Sequence, residues 1–205
     1  MKIKKSINRI IWYDLETTGF NPYHNNIIEI AAIDNLGNNL NVLLKIKDPL
    51  PEKIVEITNI TDDLLKDEGI DQYEGLNEFN KFLKLYDEDN KYKNRTYLVA
   101  HNNDSFDQLF LKYQFLRYKI NCNLDIYKYI DTFRLSQLVS KTLNSHSLKT
   151  LTTIYKVKNE RAHRAMSDTL ALQAIFYKLI DRAIKTFNID TLDDIIDKIK
   201  NPKYD

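Results

Sequence analysis

The sequence has few of the residues that cross-link a chain or bind soft metal ions. It contains one cysteine, Cys122, among 205 residues, which excludes an intramolecular disulfide. It also has no Cys/His cluster of the kind that holds structural zinc. We therefore expect an intracellular protein of a reducing compartment, with the choice between cytoplasm and nucleus left open.

Long apolar segments and chain-breaking residues are also scarce. No apolar run approaches the roughly 20 residues needed to cross a bilayer, so no membrane association is expected. The N-terminal segment lacks the apolar core and cleavage site of a signal peptide. With only four Gly and four Pro, and no linker or repeat, the sequence predicts one domain over residues 1–188, followed by a C-terminal amphipathic helix and tail over 189–205.

Charge of one sign is not in excess, since the formal net charge is +1. A protein that coats long duplex DNA would usually be more basic, so any contact with nucleic acid is expected to be local, such as a short end held in a cleft. One stretch before Asp168 is basic, and it either contacts a single-strand backbone or forms a solvated helix face. Its members are Lys141, Lys149, Lys156, Lys158, Arg161 and Arg164.

Apolar periodicity predicts an α/β fold. Strands are expected at 10–16, 27–35, 39–47, 97–100 and 126–130. Helices are expected at 71–86, 105–118, 132–140, 147–155, 164–187 and 191–200. Three strands followed by alternating helices and strands indicate a five-stranded mixed sheet with helices on its faces. The last helix could pack on the domain or form a dimer.

The first predicted strand carries two acids on one face. Asp14 and Glu16 alternate with apolar residues, and both faces of the strand are largely apolar, which indicates a central, covered strand. Two unpaired anions there would repel each other and be costly to desolvate, and a divalent cation would resolve both problems. The alternative is a frayed strand end with solvated acids.

The last long helix carries a further acid on its apolar side. Asp168 is aligned with Leu172 and Ile175, so it is either paired with a base or is a metal ligand. Arg164, one turn earlier, could form a surface pair with it. His163, five positions before Asp168, could approach the same cleft from a loop.

A fourth acid lies in the first turn of the helix after the strand at 97–100. Asp107 either compensates the helix dipole or belongs to the same site. Asp104 could serve the dipole equally well, so Asp107 is not required for it. Ser105 or Asp104 could cap this helix.

Together these residues resemble the DEDDh, or DnaQ-like, exonucleases, the family of the proofreading subunit of bacterial replicative polymerase. The resemblance spans about residues 9–187. Three motifs match in order: Asp14-Leu15-Glu16-Thr17-Thr18-Gly19 with Ile28-Glu29-Ile30, then His101-Asn102 with Phe106-Asp107, then His163 with Asp168.

Two features depart from the pattern of the bacterial enzymes. Asn59 stands where the family commonly has Gly, and Asn tolerates a left-handed backbone better than most residues. Three residues separate His101-Asn102 from Phe106-Asp107. This longer spacing is similar to that of the animal three-prime repair exonucleases, which favours DNA as the substrate.

The resemblance implies a ribonuclease H-like fold and a site for two divalent ions, Mg²⁺ with Mn²⁺ able to substitute, roughly 4 Å apart. It implies that Asp14 bridges both ions and that Glu16 and Asp168 hold the ion that binds the nucleophilic water. Asp107 would act on the second ion, and His163 would be the general base.

The resemblance also implies residues that bind the substrate. Phe20 would wedge or stack against the terminal base, unless it is only a hydrophobic turn residue. Thr17 would contact the terminal nucleotide near its 3′-OH, and Thr18 belongs to the same turn. His101 and Asn102 would support the second motif by hydrogen bonding.

These residues predict a 3′→5′ exonuclease that acts on the 3′ end of single-stranded DNA and releases nucleoside 5′-monophosphates, in repair or proofreading. Alternatives are an exoribonuclease of the oligoribonuclease or RNase T type, a ribonuclease H-like endonuclease, and a non-catalytic nucleic-acid-binding or polymerase-associated module. A homodimer or an association with a polymerase is left open.

Overall fold

One mixed sheet organises the computed structural model, which describes residues 8–88, 92 and 95–202. Its strands are β1 (Arg9–Thr17), β2 (Ile27–Asp34), β3 (Asn39–Leu43), β4 (Thr96–Ala100) and β5 (Lys128–Asp131). They lie in the order β3-β2-β1-β4-β5, with β1 antiparallel to β2 and parallel to β4. The expected five-stranded mixed sheet is therefore confirmed, and β1 is its central strand.

Helices cover both faces of this sheet. They are α1 (Glu52–Thr58), α2 (Asp62–Glu68), α3 (Gln72–Lys84), α4 (Asp107–Arg117), α5 (Thr132–Val139), α6 (Leu148–Tyr155), α7 (Ala165–Phe187) and α8 (Leu192–Lys200). In the described part of the chain, no helix combines the length and the apolar character that crossing a membrane requires.

Strand β1 divides the interior into two apolar layers because its side chains alternate. Ile11 and Tyr13 pack with α3 and α4 on one face. Trp12 packs with α7 on the other, with its ring 5.6 Å from that of Phe176. Because α7 crosses both β1 and β2, its first turn is brought over the C-terminal end of β1.

The predicted third strand, 39–47, was too long. Strand β3 ends at Leu43, and only one further bridge, between Leu44 and Ile70, continues parallel to it. The chain then forms α1 and α2, which the sequence pattern did not predict because each has seven residues and too few turns for a clear helical period. Asn59 ends α1 in the left-handed conformation (φ 55°), as its place in the sequence suggested.

Two predicted boundaries near the second motif were also wrong. The helix expected at 105–118 begins at Asp107, after a 3-10 turn at Asn103–Ser105, and neither Ser105 nor Asp104 caps it. The strand expected at 126–130 begins at Lys128, after another 3-10 turn. Asp107 does lie in the first turn of α4, where it was expected.

The final helix, α8, belongs to the main core. A capping box between Thr191 and Asp194 begins it, and Leu192 and Ile195 are buried in the layer that also contains α5 and α7. The apolar stripe of α8 was expected either to pack on the domain or to form a dimer, and in the structure it packs on the domain. The boundary at residue 188 stays a prediction, and residues 203–205 of the expected tail lie outside the described residues.

Candidate active site

Three carboxylates meet where β1 ends beneath the start of α7. Asp14 and Glu16 extend from the face of β1 that α7 covers, and Asp168 lies in the first turn of α7. One oxygen from each of the three lies within 4.8 Å of the others. Hard divalent cations take oxygen ligands at such close spacing, so these side chains could hold a metal ion.

The electrostatics of this cluster disfavour the bare anions. Burial, followed by the charges of Asp107 and Glu16, raises the pKa of Asp14 well above its usual range. Burial and the neighbouring carboxylates raise the pKa of Glu16 to about 8, although Arg164 lowers it in part. In the described part of the chain, no Lys or Arg forms an ion pair with Asp14, Glu16 or Asp168. A bound cation would therefore stabilise the charged form.

Asp107 approaches from the opposite helical layer. It is buried at the start of α4 and is not part of the close group of three. Burial raises the pKa of Asp107 to about 8, while the backbone N–H groups of Asp107 and Leu15 lower it. Its charge is the largest single-residue influence on the pKa of Asp14. Asp107 thus lies beside the group at Asp14 rather than within it.

His163 is joined to the cluster through its backbone. Its N–H donates to Oδ2 of Asp168 at 2.8 Å, and its φ of 64° is left-handed. The imidazole itself is exposed. Asn159, which the sequence did not indicate, donates from Nδ2 to Oδ1 of Asp168 at 2.5 Å and accepts a hydrogen bond from Ser167. No sequence pattern marks this loop contact, because Asn159 precedes the helix.

The surface pair with Asp168 that was considered as an alternative for Arg164 is not formed. Arg164 instead makes two hydrogen bonds to Glu29 on β2, from Nε at 3.1 Å and from Nη2 at 2.9 Å. The helical spacing rule considers only neighbours on α7, whereas a fully buried carboxylate on the adjacent strand is the stronger partner. Among the six basic residues named before Asp168, Arg164 is therefore used in an internal ion pair with Glu29.

The second motif is tied to the start of α5. His101 Nδ1 lies 2.9 Å from Thr132 Oγ1, and burial lowers the pKa of His101 to about 4, so the ring is neutral near pH 7. The N–H of Asn102 donates to Oδ1 of Asp131, which also accepts the N–H of Phe133. Asp131 therefore caps α5 and fixes the loop that leads to Asp107.

Sequence reasoning missed Asn103 in this loop. It is fully buried, and its Oδ1 accepts a hydrogen bond of 2.5 Å from the Tyr13 hydroxyl of β1. The two residues are 90 positions apart, so no local pattern could have joined them.

The turn after β1 has its hydroxyl groups engaged locally. Thr17 Oγ1 donates to the carbonyl of Gly19 at 2.7 Å, and Thr18 Oγ1 accepts the N–H of Asn26 at 3.0 Å. Phe20 is 85% exposed, and its ring lies edge-on to that of Phe106 at 6.2 Å. The turn thus presents an aromatic ring to solvent beside Phe106, the residue that precedes α4.

A mixed sheet with a half-buried acidic cluster at the end of its central strand defines an α/β protein whose side chains could hold a cation at that edge. A family model described as "Exonuclease" matches residues 11–176, and the chain belongs to this family. The expected DnaQ-like resemblance is therefore confirmed.

Curated relatives include much longer replicative polymerases. The chain is 34% identical over 199 residues to the PolC-type DNA polymerase III of Mycoplasma genitalium, an alignment covering 94% of this chain and 13% of that protein. It is 31% identical over 195 residues to the same type of polymerase from Staphylococcus aureus, covering 92% of this chain and 12% of that protein. The chain thus spans about an eighth of the length of these relatives.

Solved structures share the fold. Escherichia coli exonuclease I in complex with a dT13 oligonucleotide aligns with a TM-score of 0.73 at 19% identity, over 88% of this chain and 43% of that one. Exonuclease I from Methylocaldum szegediense aligns with a TM-score of 0.69 at 17% identity, over 88% and 41%. The ribonuclease H-like architecture expected from the sequence is confirmed by this agreement.

Proposed function

We propose that the chain is a metal-dependent 3′→5′ exonuclease that hydrolyses single-stranded DNA from its 3′ end and releases nucleoside 5′-monophosphates. The observation that carries this proposal is the group formed by Asp14, Glu16 and Asp168, with oxygens within 4.8 Å of one another. Membership of the exonuclease family supports the reaction class. The polymerase relatives and the oligonucleotide-bound exonuclease I support DNA as the substrate.

The donor set fits Mg²⁺ or Mn²⁺. All three groups are carboxylates, and hard cations with near-octahedral geometry prefer such oxygen ligands to thiolates. The raised pKa values of Asp14 and Glu16 indicate that the bare cluster lacks a compensating positive charge. Asp14, Glu16 and Asp168 would hold one ion, and Asp14 with Asp107 a second. Such ions would activate water and neutralise charge that develops at the leaving oxygen.

His163 is the residue proposed to accept the proton of the attacking water. Its imidazole is exposed beside the cluster, while its backbone is fixed by the hydrogen bond to Asp168. Histidine is the side chain that most often removes a proton as a general base. His101 is unsuited to this role because its buried ring is bonded to Thr132 and has a lowered pKa.

The 3′ end is proposed to lie against the turn after β1. The exposed ring of Phe20 offers a stacking surface for the terminal base, and Phe106 supports it from the side. Thr17 would contact the terminal nucleotide near its 3′-OH, and Thr18 lies in the same turn; each hydroxyl makes one hydrogen bond within the turn, which orients it. His101 and Asn102 would hold the loop that carries Asp107.

Exposed basic residues are proposed to contact the substrate strand, and the relatives suggest a partner protein. Lys149, Lys156, Lys158 and Arg161 are exposed before α7 and would contact the phosphate backbone. Association with a polymerase, and hence an intracellular location, is proposed because the curated relatives are PolC-type polymerases. The apolar stripe of α8 is used within the domain and gives no support to a homodimer.

Digestion of matched 5′-labelled DNA and RNA oligonucleotides in Mg²⁺ tests the proposal. We expect a ladder of progressively shortened labelled DNA, free nucleoside 5′-monophosphates, slower loss of RNA, and an intact circular single strand. The same digestion with Asp14→Asn controls for contaminating nucleases. Faster loss of RNA would establish the exoribonuclease alternative, and cleavage of the circle would establish an endonuclease.

A further inference from the structure

Strand β2 contains a carboxylate that is removed from solvent. Glu29 is 0% exposed and is paired directly across the sheet with Glu16 of β1. Like charges that face each other across strands destabilise a sheet, and a buried carboxylate needs a charged partner. The position is therefore maintained by a specific interaction.

That interaction comes from the start of α7. Arg164 donates to Glu29 through Nε (3.1 Å) and Nη2 (2.9 Å), and the N–H of Ala165 donates to Oε2 of Glu29 at 3.0 Å. Two parallel bonds to one carboxylate fix the guanidinium in orientation as well as in distance. Ala165 is the first residue of α7, and Arg164 makes no side-chain capping bond of its own. Glu29 thus caps α7 from a neighbouring strand, where a negative charge also suits the helix dipole.

Arg164 and Ala165, which Glu29 holds, lie in the sequence between His163 and Asp168. His163 immediately precedes Arg164 and has a φ of 64°, which is uncommon for a residue other than Gly. Its N–H bonds Asp168 Oδ2 at 2.8 Å, and the N–H of Asp168 bonds the carbonyl of Arg164 at 3.0 Å. These two hydrogen bonds close the segment 163–168, which includes the first turn of α7, and Glu29 attaches this segment to the sheet.

We propose that Glu29 and Arg164 are positioning residues for the proposed hydrolysis, because together they hold His163 and Asp168 in register with the acids of β1. This inference rests on the proposed function. Neither residue contacts the reacting atoms. The charge of Glu29 is matched by Arg164, which distinguishes Glu29 from the three acids that could hold a metal ion.

A set of variants with a matched control separates positioning from general stability. The set comprises Glu29→Gln, Arg164→Met, Arg164→Lys and the double variant Glu29→Gln/Arg164→Met. The control is Asp34→Asn, because Asp34 is a buried carboxylate on the same strand that pairs with Arg9 at 3.0 Å, at the other end of β2. Measurements are kcat and KM on a short single-stranded DNA, and hydrogen exchange of the segment 159–169.

We expect Glu29→Gln and Arg164→Met each to lower kcat by about tenfold or more, as removal of supporting hydrogen bonds at a metal site commonly does. KM should change by less than about threefold, and the double variant should be no worse than the single ones, because one interaction is lost in all three. Arg164→Lys should be more active than Arg164→Met. Exchange should quicken within 159–169 in the pair variants, whereas Asp34→Asn should lower Tm and leave kcat and this segment unchanged.

A kcat within about twofold of the unaltered protein, with unchanged exchange at 159–169, would overturn the inference. If the unaltered protein hydrolyses no DNA, the proposed function fails, and the exchange measurement decides the inference alone. If Glu29→Gln does not fold, Arg164→Met carries the same comparison, and activity and exchange equal to those of the unaltered protein would overturn the inference.

Discussion

At the residue scale, the acidic side chains removed from solvent differ in which groups balance their negative charge. Glu29 has a guanidinium, and Asp131 accepts backbone N–H groups at the start of α5. Asp14 and Glu16 have raised pKa values, and no Lys or Arg of the described residues forms an ion pair with either. The metal-free site should therefore lower the free energy of unfolding of the domain.

This imbalance predicts a pH dependence. The pKa of Glu16 rises from 4.5 to about 8 on folding, so the folded state holds a proton that the unfolded state has lost, and stability should fall as pH rises through this window. His101 acts in the opposite direction only below its ordinary value of 6.5, because its pKa in the folded protein is about 4. In EDTA, Tm should fall between pH 6.5 and pH 9.

The Glu16→Gln variant should show a smaller fall over that range and a higher metal-free Tm at the alkaline end, because it removes one of the repelling charges. Added Mn²⁺ should raise the Tm of the unaltered protein more than that of the variant. Parallel slopes for both proteins in thermal unfolding would contradict the predicted cost of Glu16.

Sequence reasoning placed the acids well because alternation and helical period report which face a residue occupies. Asp14, Glu16 and Asp168 could be assigned to facing surfaces from such patterns. The partner of Arg164 could not, since Glu29 is 135 positions away and a local rule favoured Asp168. A hydrogen-bond partner that is distant in the sequence can be found only when the order of the strands and helices in space is known. The proposed 3′→5′ direction of hydrolysis rests on the family resemblance.

At the scale of elements, the sheet and the longer helices were predictable, whereas α1 and α2 were not. A helix of seven residues completes about two turns, which gives little periodic signal. The sequence did contain one indication of this region, which is Asn59, a residue that tolerates a left-handed backbone. In the structure Asn59 ends α1 with a φ of 55°. The short helices follow from this turn and from the small apolar cluster around Ile28 and Ile60.

Substitutions at Asn59 should test this local account. Asn59→Gly should keep or slightly raise stability, because Gly adopts a left-handed backbone freely. Asn59→Ala should lower the free energy of unfolding by about 1 kcal/mol, because its Cβ disfavours that conformation. Urea unfolding of the two variants measures the difference, and an Ala variant as stable as the Gly variant would contradict it.

The last helix allows a separate test of its packing. Ile195 is 1% exposed in the layer shared with α7. Ile195→Ala should lower the free energy of unfolding by about 2–5 kcal/mol through lost burial and a cavity. Below its Tm the variant should keep the kcat of the unaltered protein, because α8 lies outside the acidic site. Unchanged stability would argue that α8 does not depend on the domain core.

At the scale of the whole molecule, the site is assembled from elements far apart in sequence. Strand β1 supplies Asp14 and Glu16, α4 supplies Asp107, and α7 supplies Asp168, so the chain must fold before the acids meet. With a net charge of +1, the proposed attraction to nucleic acid should be local rather than spread over the surface. A local attraction of this kind suits the proposed hydrolysis of one strand end.

The most direct test is the rate of mononucleotide release from single-stranded DNA in Mg²⁺ by the unaltered protein, by Asp14→Asn, and by Asp197→Asn as an exposed-acid control. We predict that Asp14→Asn loses about a thousandfold in rate while remaining folded, since metal-based charge stabilisation is worth several kcal/mol. Asp197→Asn should match the unaltered protein. A folded Asp14→Asn variant that keeps more than about a tenth of the rate would contradict the assignment of this acidic group as the catalytic site.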